Sequence, residues 1–201
     1  GIKKGNVPFG TLSSIDESIF KFGKLVTGSD DGLVQLSFDG ANNWKIISND
    51  LPKNLWVSRV VFSKHKEDRI YVTLNGYRFD DFKPYVFVTE DNGENWKSLD
   101  SNLPISSLNV IKEDPYYEDL LYLGTDNGVY MSFDKGLSWN SFNQGLQKVA
   151  THDLVIQKRA KDLLIGTHGR SIYKMDLSII YSFLEKRNLK QNHYIIPKDI
   201  N

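Results

Sequence analysis

The sequence predicts an all-β repeat protein, a β-propeller of about four blades of antiparallel four-stranded sheets followed by a short helix. Three observations carry this. An eight-residue motif occurs three times, as Ser37-Phe38-Asp39-Gly40-Ala41-Asn42-Asn43-Trp44, as Thr89-Glu90-Asp91-Asn92-Gly93-Glu94-Asn95-Trp96 and as Ser132-Phe133-Asp134-Lys135-Gly136-Leu137-Ser138-Trp139. Its aspartates stand 52 and 43 positions apart, the period of a unit made of four short strands. Each copy also follows an apolar run (Leu33–Leu36, Tyr85–Val88 or Val129–Met131) and ends at the Trp of another, the pattern of strand, tight turn, strand.

The motif residues have physical reasons to recur. An Asp in a turn accepts main-chain N–H groups a few residues on and fixes the turn's shape. Gly93 and Gly136 supply a position tolerant of positive φ. Trp44, Trp96 and Trp139 can each cover roughly 150–250 Å² of apolar surface between sheets. The first copy departs from the pattern, with Ala41 in the glycine slot and Gly40 one place early, so its turn is expected either to shift by one residue or to be looser. Since the aspartates recur in every unit, they read as scaffold rather than as catalysts or metal ligands, and their spacing is not that of a calcium loop.

Cut on this period, blade 1 takes residues 11–48, with strands near Ser14–Phe20, Lys24–Thr27, Leu33–Ser37 and Asn43–Ile47. Blade 2 takes 56–99, with Val57–Phe62, Arg69–Leu74, Tyr85–Thr89 and Asn95–Ser98. Blade 3 takes 105–142, with Ser107–Lys112, Leu120–Gly124, Gly128–Ser132 and Ser138–Ser141. Blade 4, 151–176, holds Asp153–Gln157, Asp162–Gly166 and Ser171–Met175 but no motif and no fourth strand. Asp176 opens a helix in which Leu177, Ile180 and Leu184 recur at i, i+3 and i+7, so residues 177–201 are expected to form a docked helix and a tail. The tail is polar except for Tyr194–Ile196, a short strand or docking segment. An incomplete ring would expose apolar blade faces, so the chain is expected to be the carboxy-terminal part of a larger propeller, with the remaining blades of the same parent protein as its first partners.

The three motifs resemble the Asp-box, or bacterial neuraminidase repeat. The intervening stretches, Val26–Gly32, Trp56–Val60, Tyr71–Tyr85, Leu123–Gly128 and Ile165–Ile172, are similar to the end of the propeller in large, sortilin-like bacterial repeat proteins often labelled glycosyl hydrolases. The resemblance covers about residues 8–180. It implies Ser37, Asp39, Trp44, Thr89, Asp91, Gly93, Trp96, Ser132, Asp134, Gly136 and Trp139 as structural Asp-box positions, and export to the periplasm, cell surface or medium. It implies no catalytic residue: neither the arginine triad and tyrosine nucleophile of sialidases nor the acids of two-propeller xyloglucan enzymes can be matched.

Composition narrows the partners. With 25 basic and 25 acidic residues the net charge is zero, which gives no electrostatic case for nucleic acid or an anionic membrane. No apolar run is long enough for a transmembrane segment, there is no cysteine for a disulfide, and neither a metal nor another cofactor is called for.

Propeller topology separates the motif turns, at one end of the ring, from the loops joining second to third strands at the other. The longest such loop, Asn75–Pro84, carries Tyr77, Phe79 and Phe82 for stacking, Arg78 for a carboxylate or hydroxyl, and Asp80 with Asp81. Aromatic faces flanked by acids suit a glycan, and two carboxylates roughly 5–10 Å apart would be needed for glycoside hydrolysis; the plainer reading packs the loop on a neighbour with Arg78 paired to one of its own aspartates. The second candidate is Thr167–Arg170, where His168 can titrate near neutrality and Arg170 can clamp an anion; here the plainer reading has Arg170 tying adjacent blades. His65, His152 and His193 have no metal-like spacing and read as incidental, and Trp56 and Arg59 are expected to pack between blades 1 and 2. The expected function is a non-catalytic module binding a protein or glycan; the alternative is part of an Asp-box glycoside hydrolase acting on polysaccharide.

Overall fold

The computed structural model describes residues 10–189 except 144 and 147; His193 and the Tyr194–Ile196 segment lie outside the described residues. Blade 1 is built of β1 (Leu12–Glu17), β2 (Leu25–Ser29), β3 (Val34–Ser37) and β4 (Lys45–Ile46). Blade 2 holds β5 (Trp56–Phe62), β6 (Ile70–Gly76), β7 (Asp81–Thr89) and β8 (Lys97–Ser98). Blade 3 holds β9 (Leu108–Glu113), β10 (Leu121–Thr125), β11 (Gly128–Ser132) and β12 (Asn140–Ser141), and blade 4 holds β13 (Thr151–Gln157), β14 (Asp162–Thr167) and β15 (Ile172–Asp176). Every sheet is an antiparallel meander in chain order, with four strands in the first three blades and three in the last. The first strands β1, β5, β9 and β13 pack each on the next, which makes them the inner edge of a β-propeller.

Burial follows from that stacking. The second strands β6 and β10 are covered on both faces, and every residue in them is buried, so they read as near-continuous apolar runs rather than as an alternating pattern. Three apolar cores lie between successive blades: Val26, Leu36 and Phe62 belong to the first, Val61, Tyr71 and Leu121 to the second, Tyr122, Leu154 and Ile165 to the third. Each inner strand carries a bulge at the same place, skipping Ser13, Ser58, Asn109 or His152, and bulges increase strand twist. Three of these residues bridge blades: Ser13 Oγ donates to Val57 O at 2.7 Å, Ser58 Oγ to Leu108 O at 2.8 Å, and Asn109 Oδ1 accepts from Asn75 Nδ2 at 2.9 Å.

The helix α1 (Ser178–Leu189) follows blade 4 directly. Asp176 Oδ1 accepts the Ser178 N–H at 2.8 Å, satisfying one amide of the first turn. Leu177, Tyr181 and Leu184 are its buried stripe; Tyr181 replaces the expected Ile180, which is only half-buried. The Tyr181 hydroxyl donates to Asp114 Oδ2 at 2.7 Å, an oxygen that Tyr122 also reaches at 3.1 Å. The fully buried Asp114 is therefore hydrogen-bonded by blade and helix together, as a buried polar group requires.

Two expectations about local structure are corrected. The fourth strands are only two residues long and begin after the Trp, because the motif turn uses the preceding residues for its own side-chain hydrogen bonds. The Asn75–Pro84 segment is not a loop throughout. Tyr77–Phe79 form a 3-10 turn, Asp80 takes φ +56°, and β7 starts at Asp81, with Pro84 inside it.

Candidate functional site

The three motif turns share one geometry. The hydroxyl of Ser37, Thr89 or Ser132 donates to its Asp and accepts the N–H of Ala41, Gly93 or Gly136 at 3.0, 2.8 and 2.8 Å. The same carboxylates accept the N–H of Asn43, Asn95 and Ser138 at 2.9 Å each. The first turn neither shifts nor loosens, because Ala41 itself adopts φ +72° where Gly93 has +86°. Hydrogen bonds from the Asn95 side chain, then Thr89, hold the Asp91 carboxyl down to about 2. Asp39 is lowered likewise, chiefly by Asn43. In Asp134 burial works upward, and the bonds from Ser138 and Ser132 outweigh it. Acids whose oxygens are all engaged and which stay ionised are poor proton donors.

The motif turns lie against the turns that join first to second strands. Gly40 N donates to Gly23 O, Asn92 N to Asp68 O and Lys135 N to Asp119 O, at 2.9–3.0 Å. The other end carries the candidate residues. There Arg78 lies over Trp56, 5.4 Å from the ring centroid, and its guanidinium reaches Asp30 Oδ2 at 3.5 Å. The ion partner is therefore a blade 1 loop residue rather than either of the neighbouring aspartates. Asp30 is buried; burial works to raise its pKa, but N–H bonds from Gly10 and Thr11 at 2.7 and 2.8 Å, with Arg78, leave it lowered.

Around this ion pair stand exposed rings. Tyr77 and Phe82 meet edge to face at 6.1 Å, and Phe79 is also half exposed. Asp80 is exposed at its left-handed position, whereas Asp81 accepts the Tyr85 hydroxyl at 2.6 Å. That bond, the largest cause, lowers the Asp81 pKa. A lowered carboxyl is the opposite of what a general acid needs.

On blade 4, His168 and Arg170 are exposed at the same end, in the hairpin between β14 and β15. His168 does not stand alone: its ring lies 5.3 Å from that of His152, and its backbone N–H donates to Ala150 O at 2.9 Å. His152 occupies the inner-strand bulge beside the hairpin. Arg170 ties no blades together among the described residues. His65 is structural, with Nε2 2.7 Å from Asp114 O across blades 2 and 3.

Arg59 also departs from expectation. Its guanidinium pairs with Asp153 of blade 4 at 2.9 Å, reaching past blade 3. Lys112 on the intervening β9 has a lowered pKa, through burial first and then the nearby Arg59. Asp30, Trp56 and His152 are the residues that sequence reasoning left out of the site. Trp56 had a visible signal, an aromatic at the start of an inner strand, but its partner Arg78 is 22 positions away in sequence.

Two clefts, of about 290 and 390 Å³, lie elsewhere. One is beside Tyr117 and Leu184, the other between the second and third motif turns, lined by Trp96 and Lys135. No group of three or more His, Asp or Glu arranged to hold a metal exists among the described residues. No helix among them is long and apolar enough to cross a membrane.

The fold and this end define a β-propeller whose surface-bearing loops cluster opposite its motif turns. Solved structures agree on the fold. The chain is similar to the GH74 xyloglucanase from Xanthomonas campestris, with a TM-score of 0.67 and 12% identity over 84% of this chain and 29% of that one. It is similar to the Niastella koreensis GH74 enzyme at a TM-score of 0.60 and 13% identity, over 84% of this chain and 23% of that one. YCF48 bound to D1 peptide matches at 0.55 and 16% identity, over 86% of this chain and 57% of that one. The chain therefore spans less than a third of the GH74 enzymes. No family model and no curated protein matches the sequence.

Proposed function

We propose that the chain is a propeller of the Asp-box, sortilin-like type and serves as a non-catalytic binding module of a larger, exported protein, taking a glycan or protein ligand at the end opposite the motif turns. The observation that carries this is the exposed Tyr77–Phe82 ring pair, with Phe79 exposed on the same segment as Arg78, whose guanidinium pairs with Asp30. Aromatic faces beside fixed polar groups suit sugar rings or an aromatic-containing peptide. His168 and Arg170 offer a second contact on blade 4, and the remaining blades of the parent protein complete the surface. Export rests on the family resemblance alone. The structural likeness to a xyloglucanase and to a protein bound to a peptide is compatible with either ligand class.

The hydrolase reading is less well supported, because Asp81 is held ionised by the Tyr85 hydroxyl. Titration of the chain with a polysaccharide panel including xyloglucan oligosaccharides, and with a peptide library, followed by NMR, tests the proposal. Tyr77→Ala and Phe82→Ala should each weaken the bound ligand at least tenfold with the fold intact. Hydrolysis of any panel member, lost on Asp80→Asn or Asp81→Asn, would overturn the non-catalytic reading.

A further inference from the structure

The repeat makes every contact between blades a template for the next, and blade 1 has the template's residues without its partner. In the second, third and fourth blades the residue just before the bulge, Val57, Leu108 or Thr151, is 0% exposed, because it lies against the blade before it. Blade 1 has Leu12 there, 61% exposed. Two residues after the bulge, Val60, Ile111 and Leu154 are again 0% exposed, and the matching Ile15 is 65% exposed. The motif indoles follow suit. Trp96 Nε1 donates to Ile47 O and Trp139 Nε1 to Leu99 O, both at 2.7 Å, each acceptor being the residue just past the preceding blade's fourth strand. Trp44 is 38% exposed, and its N–H has no acceptor among the described residues.

We infer that this face of blade 1 is an inter-blade interface whose occupant is a further four-stranded blade of the same polypeptide; this rests on the reading of the chain as part of a larger propeller. The occupant's chemistry can be specified. It presents a backbone carbonyl to Trp44 at the end of its fourth strand. The side chain at that place is small, for the following reason. A Cβ on Gly93 would come 2.5 Å from the Ile47 Cβ, and one on Gly136 would come 2.8 Å from Leu99 Cδ1. Blade 1 carries a real Cβ there, on Ala41, so an Ile or Leu opposite it would collide. Opposite Leu12 the occupant's second strand presents a small residue, as Gly28, Thr73 and Gly124 stand at the matching register place in blades 1 to 3.

A second copy of this chain fits less well. Its blade 4 offers Gly166 for Leu12, with no atom of a neighbouring blade near that glycine. But among the described residues blade 4 has no fourth strand and runs into α1 instead, so these residues provide no carbonyl equivalent to that of Ile47 or Leu99.

The test labels all 4 tryptophans with 5-fluorotryptophan, in this chain and in the native-length polypeptide from the source organism. Single Trp→Phe variants assign the ¹⁹F signals, and the H₂O/D₂O shift of each reports its exposure. The intact mass of the native protein is measured alongside. A native mass well above 23.0 kDa, with the Trp44 solvent shift falling to the level of Trp139, is the expected result. A longer native protein whose Trp44 stays as exposed as in this chain overturns the docked blade and leaves the larger-protein reading standing. A native mass of 23.0 kDa overturns both, and concentration-dependent shielding of Trp44 would then assign the face to a second copy.

Discussion

The indole N–H of Trp139 donates to the backbone carbonyl of Leu99 at 2.7 Å, tying the motif turn of blade 3 to the last strand of blade 2. Trp96 repeats the bond to Ile47 one blade earlier. The Trp that closes the second and the third motif is thus a rivet to the preceding blade.

Trp139→Phe keeps most of the buried ring and removes that hydrogen bond, so a loss of about 1 kcal/mol is expected. Trp139→Ala also leaves a cavity between blades, and about 3–5 kcal/mol is expected. Trp44→Phe, at the exposed position, should change stability by less than about 0.5 kcal/mol. Urea unfolding of the three variants, compared by midpoint at constant m-value, checks the order.

Asp91 gives the fold a defined acid limb. Its pKa in the folded protein, about 2, lies below the ordinary aspartate value near 4. Its contribution is therefore complete above about pH 4 and is lost as pH falls towards 2. Asp91→Asn should be less stable than the parent at pH 7, with the difference narrowing between pH 4 and pH 2. Thermal unfolding across that range measures it; a pH-independent difference would remove Asp91 from the acid response.

Gly124 and Gly166 occupy equivalent places in blades 3 and 4 with different surroundings. A Cβ on Gly124 would meet Val110 at 2.5 Å and Thr151 at 2.8 Å, whereas on Gly166 the nearest atom is 3.5 Å away. Gly124→Ala should cost about 1–3 kcal/mol by overpacking. Gly166→Ala should be neutral or slightly stabilising, since it restricts only the unfolded chain. Calorimetry of the pair tests the contrast.

Tyr181→Phe leaves Asp114 with the Tyr122 hydroxyl and the N–H groups of Tyr116 and Tyr117. A loss of about 1–2 kcal/mol is expected, with faster amide exchange confined to α1 if the helix opens before the blades do. Uniformly faster exchange would mean that helix and blades open as one unit.

The architecture was legible because the motif repeats both a turn and its flanking strands, so Asp39, Asp91 and Asp134 locate three hairpins without reference to the core. Local chemistry that repeats can be read from one chain. What repeats imperfectly was harder. Ala41 holds a left-handed conformation that only its position in the series betrays, and Pro84 sits inside a strand although proline usually marks a loop or an edge. The site was legible as a loop and not as a set of contacts. Tyr77, Phe79 and Phe82 announced exposure, but the partners of Arg78 are Trp56, on an adjoining strand of its own blade, and Asp30, in a blade 1 loop brought near by blade stacking. The same holds for Arg59 and Asp153, whereas His152 and His168 are brought together by strand pairing within blade 4.

The Arg59–Asp153 ion pair joins the second blade to the fourth and skips the one between. Geometrically it is a chord drawn across an arc, and its length depends on the sum of the two angles by which successive sheets turn. Contacts between adjacent sheets fix each angle separately; a chord penalises any drift in their total. With one partner half in water, the chord is held by charge and slackens as salt rises, so the curvature of this arc has one element that responds to ionic strength while the apolar seams beside it do not.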